Sequence, residues 1–166
     1  FGSKVVKFGD DCLDAENEAI RLSKENNLTF VSPYNDLDII SGQGTIGVEI
    51  MEQNSEIDIV FITVGGGGLI SGVSSHLKSV NPKIKVVGCS PINSAIMINS
   101  IKNGKIINTE SEDTLSDGSA GGVEEGSITF DMCKELIDEF CLISEDEILL
   151  QIKNALKYDE ILIEGS

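Results

Sequence analysis

The sequence predicts an α/β protein built on a parallel sheet with helices on both faces. Three observations carry this. Short apolar runs alternate with longer amphipathic ones in the order β-α-β-α-β-α. The strongest run, Asp58–Val64, is almost unbroken in apolar character, as expected of a strand covered on both faces. Four consecutive glycines, Gly65–Gly68, stand where that strand gives way to a helical stripe.

The elements follow in order. Val5-Val6-Lys7-Phe8 reads as a short strand. Cys12–Asn26 has helix composition, with Leu13, Ala19, Ile20 and Leu22 as its apolar positions. Leu28–Val31 is strand-like and stops at Ser32-Pro33, because proline cannot donate to a ladder. Pro33–Asp36 reads as a turn. A helix is expected over Thr45–Met51, entered from Gly42-Gln43-Gly44. After the glycine run, Leu69, Val73, Leu77 and Val80 make one apolar stripe of a helix that Asn81-Pro82 stops.

Ile84–Gly88 is the next buried strand, and Ser94–Lys102 is helical, closed by Asn103-Gly104. Thr109–Gly126 is a polar, glycine-rich loop of a length that usually carries function. Glu124 and Glu125 within it are candidates for a substrate entrance. Ser127–Ile137 is helical and Glu139–Ile143 is a strand. Ser144–Glu147 is a capping box that opens a helix reaching Tyr158, and Ile161–Glu164 starts a further strand. A boundary near Ser32-Pro33 would make residues 1–31 the end of a small domain. Residues 32–166 would then be a larger phosphate-binding domain, truncated at its C-terminus. A chain that begins Phe-Gly without a methionine and ends Glu-Gly-Ser reads as an excerpt of something longer.

Composition removes several classes. With 40% apolar and 24% charged residues in 166, the mixture is that of a globular domain, not of a disordered or collagen-like chain. The 12 basic and 28 acidic residues give a net charge of −16, so polyanionic partners such as nucleic acid or an acidic membrane surface are repelled. No apolar run is long enough to span a membrane. Four cysteines without C-x-x-C spacing and one histidine argue against a Cys/His zinc site. Cys89 and Cys141, in apolar surroundings, read as reduced core residues, which fits a reducing, cytoplasmic compartment.

Gly65–Gly68 lets several N–H groups converge at a helix start, where the unpaired amides and the helix dipole favour an anion. No Lys or Arg lies between Ile57 and His76, so a phosphate there would be held by backbone donors, with Ser71 as the one side-chain candidate. A P-loop requires a lysine after the glycines, and there is none. A dinucleotide fingerprint requires an acid at the end of the next strand, but that strand ends Gly88-Cys89-Ser90. A ligand-free strand–helix turn, or a non-catalytic phosphate- or nucleotide-binding module, stands as the alternative.

Gly65-Gly66-Gly67-Gly68-Leu69-Ile70-Ser71-Gly72 resembles the phosphate loop of the fold-type II pyridoxal-phosphate enzymes, in the serine/threonine dehydratase and serine racemase branch. Three stretches agree in order: Phe30–Asp36 with Ser41-Gly42-Gln43-Gly44-Thr45, then Ser116-Asp117-Gly118, then Ile163-Glu164-Gly165. The resemblance implies the large domain of a tryptophan synthase beta-like fold, present in part, with pyridoxal 5'-phosphate as cofactor. By the same resemblance, Gly65, Gly66, Gly67, Gly68 and Leu69 would bind the cofactor phosphate. Gly118 would bring backbone close to the cofactor ring, and Glu164 would sit near it. Gln43, Gly44 and Thr45 would be structural. The implied reaction is dehydration or racemisation of L-serine, L-threonine or a 3-hydroxy amino acid, by a homodimer acting on a small-molecule amino acid.

The sequence also departs from the family. The upstream lysine motif and the S-G-N-H-type loop have no match, so no catalytic residue is assigned in this chain. Ser90 stands where many members carry a metal-binding Glu, and Ile96 where they carry the Asp, so no metal site is expected.

Overall fold

The computed structural model describes residues 2–107 and 109–166. Three strands, β1 (Ile59–Thr63), β2 (Lys85–Pro91) and β3 (Glu139–Ile143), form one sheet in the order β1-β2-β3. Both pairings are parallel, with Ile59 opposite Lys85 and Val87 opposite Glu139. The helices are α1 (Cys12–Asn26), α2 (Leu37–Gln53), α3 (Gly68–Val80), α4 (Ile96–Asn103), α5 (Ile128–Leu136) and α6 (Glu145–Asn154).

Local chemistry sets most helix ends. Asp11 caps α1 by accepting from the Leu13 N–H, and Asn27 leaves it in the left-handed conformation. Ser144 and Glu147 make the reciprocal capping box of α6. Gly104 closes α4 with φ of 73°, a conformation that costs glycine nothing. Among the described residues no helix is long and apolar enough to cross a membrane.

The core lies on the face of the sheet that carries Ile62, Val64 and Val86. There Ile70, Val73 and Leu77 of α3 pack with Met97 of α4 and Phe130 and Cys133 of α5. Phe61, on the other face of β1, is 65% exposed, so the apolar run of that strand is only half used within the chain.

Helix α2 starts at Leu37, not at Thr45, because Asp36 caps it by accepting from the N–H groups of Asp38 and Ile39. The expected glycine entry therefore lies inside the helix. It serves packing: a side chain on Gly72 of α3 would run into the Ile40 carbonyl and stand 2.7 Å from the Gly44 nitrogen. The two helices cross backbone to backbone at these glycines.

Three expected strands do not form. Residues 5–8, 28–31 and 161–164 pair with no other strand, and Val5, Leu28 and Leu162 stay exposed. Apolar, β-branched composition suits a strand, but a ladder needs a neighbour, and the described residues offer these segments none. Cys141 is exposed and Cys89 partly so, whereas the buried thiol is that of Cys133. The Cys89 and Cys141 expectation fails because both lie on the less covered face of the sheet, in register with each other.

Candidate functional site

The glycine turn is fixed from behind, through its carbonyls. The Ser90 hydroxyl donates to the Val64 carbonyl at 2.6 Å, and the Thr129 hydroxyl donates to the Gly66 carbonyl at 2.6 Å. The Gly67 carbonyl accepts the Ser71 N–H at 3.0 Å, the first bond of α3. In a trans peptide the C=O and N–H point opposite ways. Holding the Val64 and Gly66 carbonyls toward the core therefore turns the Gly65 and Gly67 N–H groups away from it.

Those donors have no partner. Among the described residues, no hydrogen bond uses the N–H groups of Gly65, Gly66, Gly67, Gly68 or Leu69. The last two are also orphan donors of the α3 N-terminus, where the helix dipole is positive.

Each glycine leaves little room for a side chain. A side chain on Gly65 would begin 3.0 Å from the Ser119 backbone, and one on Gly68 would begin 2.9 Å from the Tyr34 Cβ. One on Gly66 would enter the Tyr34 ring. Gly67 combines a φ of 88° with only 2.8 Å to the Cys133 sulfur.

The turn opens onto a cleft of about 680 Å³. All seven residues expected to hold a cofactor border it: Gly65, Gly66, Gly67, Gly68, Leu69, Gly118 and Glu164. Gly118 lies in a short 3-10 turn, Asp117–Ser119, and a side chain there would begin 2.7 Å from the Ser166 hydroxyl. That hydroxyl donates to Glu164 Oε1 at 2.5 Å. Ser71 is not in the cleft. It is fully buried, with its hydroxyl 3.6 Å from the Cys133 sulfur, so the helix face that carries it points into the core. Gln43, Gly44 and Thr45 lie away from the cleft, in α2.

Sequence reasoning missed Cys12, Glu16 and Tyr34, which border the same cleft. Tyr34 had a signal, since it stands in the Phe30–Asp36 stretch. Its hydroxyl accepts the Glu124 N–H at 2.8 Å and donates to Glu16 Oε2 at 3.3 Å. Glu124, expected at an entrance, is tied instead to Asn35, whose side-chain amide donates to it at 2.7 Å. Burial raises the Tyr34 phenol above its ordinary value. Burial also pushes the Cys12 thiol up to about 11, with the Asp11 and Glu16 carboxylates adding to the shift, so that thiol is a poor nucleophile at neutral pH.

A phosphate fits this arrangement. Five residues with unpaired N–H groups border the cleft at one helix end, the lining residues include no lysine, arginine or histidine, and the cleft is roomy enough for an aromatic cofactor. Hydrogen bonds to a charged group contribute about 1.5–3 kcal/mol each, against about 1 kcal/mol for the helix dipole, so the amides dominate.

Comparison with known proteins agrees with the geometry. A family model described as "Pyridoxal-phosphate dependent enzyme" matches residues 1–166. The chain is 39% identical over 165 residues to an L-threonine ammonia-lyase of Thermotoga maritima, covering 99% of this chain and 41% of that protein. Among solved structures, it is similar to the processed form of threonine deaminase isoform 2 from Solanum lycopersicum. That match has TM-score 0.87 and 37% identity, over 99% of this chain and 48% of that one. It is also similar to maize serine racemase, with TM-score 0.89 and 29% identity over 99% of this chain and 49% of that one. The chain thus spans roughly two fifths to one half of the length of these three proteins.

Proposed function

This chain belongs to the pyridoxal-phosphate dependent enzyme family, and we propose that it supplies the phosphate-holding part of an amino-acid dehydratase or racemase site. The reaction proposed is loss of water from L-serine, L-threonine or another 3-hydroxy amino acid, giving a 2-oxo acid and ammonia, or inversion at the α-carbon. The single observation that carries the reading is the run of residues from Gly65 to Leu69, which borders one cleft with unpaired amides.

When bound, the cofactor supplies an electron sink for negative charge developing at the substrate α-carbon. This chain's own residues bind and orient. Gly65, Gly66, Gly67, Gly68 and Leu69 donate to the phosphate, and the start of α3 adds its dipole. Ser90 and Thr129 keep the donors aimed by holding the Val64 and Gly66 carbonyls. Gly118, with no side chain, would let the cofactor ring approach the Asp117–Ser119 turn, and Glu164, which borders the cleft with its carboxylate held by Ser166, would sit near the ring.

The same reading makes residues 1–31 the end of a small domain and places the protein in the cytoplasm as a homodimer. It also gives the protein an amino acid, not a nucleic acid or a membrane, as its ligand. The net charge of −16 speaks against nucleic acid and an acidic membrane surface, and the four free cysteines fit a reducing compartment.

The test is an ammonia-release assay with L-threonine and L-serine, on the longest polypeptide that carries this chain and on the 166-residue chain alone. The longer protein turns over with pyridoxal phosphate. The chain alone binds phosphate and does not turn over, because the family's lysine motif has no match in it. Robust turnover by the chain alone, or none by the longer protein, contradicts the reading.

A further inference from the structure

The cleft that holds the glycine turn is also bordered by α1, through Cys12, Ala15 and Glu16. Glu16 is half-buried there, and its one hydrogen bond among the described residues is with the Tyr34 hydroxyl. The Tyr34 oxygen is itself pinned by the Glu124 N–H, so the Glu16 carboxyl is held by a fixed neighbour. The carboxyls around it are already engaged. Asp11 accepts from the Leu13 and Gly122 N–H groups, and Glu124 accepts from the Asn35 side chain. Glu16 has acceptor positions to spare and, among the described residues, no ion pair.

Charge points the same way. Asp117 and Glu164 add two more carboxyls to the lining, which includes no cationic side chain. A phosphate tolerates this because backbone N–H groups and a helix start hold it. A carboxylate placed beside Glu16 finds neither. It brings only acceptors to a group that accepts, and like charge in a partly desolvated cleft costs more than in water. A hydroxyl brings a donor. Burial raises the Glu16 carboxyl above its ordinary value against the lowering effect of the Tyr34 hydrogen bond, and Glu124 and Asp11 raise it further. The position is thus one where additional negative charge is resisted.

We propose that Glu16, held by the Tyr34 hydroxyl, is the specificity-determining residue of this cleft, taking a substrate hydroxyl and turning away a second carboxylate. The inference rests on the reading of the cleft as a cofactor-phosphate and amino-acid site, and it assigns to Glu16 the preference for hydroxy over dicarboxylic amino acids.

The test is calorimetric binding to the 166-residue chain of phosphopyridoxyl-L-threonine, phosphopyridoxyl-L-aspartate and pyridoxine phosphate. These stable adducts carry the phosphate and the amino acid together and need no lysine. Pyridoxine phosphate reports the phosphate site alone. The wild-type chain binds the threonyl adduct at least about tenfold more tightly than the aspartyl adduct. Glu16→Gln narrows the ratio to about threefold or less by improving the aspartyl adduct, and Glu16→Lys reverses it. Tyr34→Phe, which keeps the ring against Gly66, narrows it as well. Equal affinities in the wild type, or an unchanged ratio in Glu16→Gln, overturn the inference while pyridoxine phosphate still binds. Failure of all three probes to bind the wild type overturns the phosphate reading and this inference with it.

Discussion

Thr129 holds Gly66. Its fully buried side-chain hydroxyl donates to the Gly66 carbonyl at 2.6 Å, and the Ser127 hydroxyl lies 2.6 Å from the Thr129 hydroxyl oxygen. A residue of α5 thereby sets the orientation of a peptide unit in the turn between β1 and α3, and with it the direction of the Gly67 N–H.

Replacing Thr129 with Val keeps the shape and removes the donor. The Gly66 carbonyl is then left unsatisfied, at a cost of about 1–3 kcal/mol. Denaturant unfolding reads the loss, and phosphate affinity falls together with it. Thr129→Ser restores both in large part. An unaltered phosphate affinity in a destabilised Thr129→Val variant would mean that the turn is held by its other contacts.

Within the glycine turn, Gly67→Ala is more damaging than Gly65→Ala. The first adds left-handed strain to a 2.8 Å approach to Cys133, whereas the second meets the Ser119 backbone at 3.0 Å with no such strain. The expected losses are about 2–4 kcal/mol for Gly67→Ala and about 1–3 kcal/mol for Gly65→Ala. Thermal or urea midpoints order the two.

Two glycines of the helix pair α2–α3 respond with opposite sign. Gly72→Ala drives a methyl group into the Ile40 carbonyl and costs about 3 kcal/mol or more. Gly42 has nothing within 4 Å of the place where a side chain would begin, and it lies mid-helix. Gly42→Ala therefore stabilises by about 0.5–1 kcal/mol. Equal effects would contradict the close crossing of the two helices.

Asp138 makes stability depend on pH. Partial burial alone would raise its carboxyl, but the Lys78 ammonium at 2.7 Å and the Val86 N–H at 2.7 Å outweigh that and hold it below its ordinary 3.8. A carboxyl lowered by folding contributes stability that is present above its unfolded pKa and disappears as pH falls through the folded one. Wild type should thus exceed Asp138→Asn by about 1 kcal/mol near neutrality, the pair being partly exposed, and the gap should close below about pH 3.8. A gap that persists at pH 2 would assign the effect to packing.

Features fixed by neighbours in sequence were legible. The ends of α1, the box at Ser144–Glu147 and the stripe Leu69–Val80 all follow from contacts within a turn or two of the chain. The glycine turn was legible because four such residues between a strand and a helix have few other uses. Features fixed across the chain were not. Residues 5–8 and 161–164 have strand composition and no strand to pair with. Gly42 and Gly44 looked like a loop because glycine weakens a helix. Nothing local reveals that Gly44 and Gly72 buy the close approach of α2 to α3. Ser71 stood at the right position for a phosphate but on the inward face of its helix. Glu16 gave no signal, since an amphipathic helix does not disclose which polar residue meets a cleft. Its partner Tyr34 lies 18 residues away.

The central claim is that the amides from Gly65 to Leu69 grip a phosphate. Amide resonances of the isotope-labelled chain, followed by two-dimensional NMR during titration with pyridoxine phosphate and with unphosphorylated pyridoxine, test it most directly. The account predicts that the Gly65–Leu69 resonances move downfield beyond all others with the phosphorylated ligand and stay in place with the other. Resonances that stay fixed with both ligands, or that move equally with both, would contradict it.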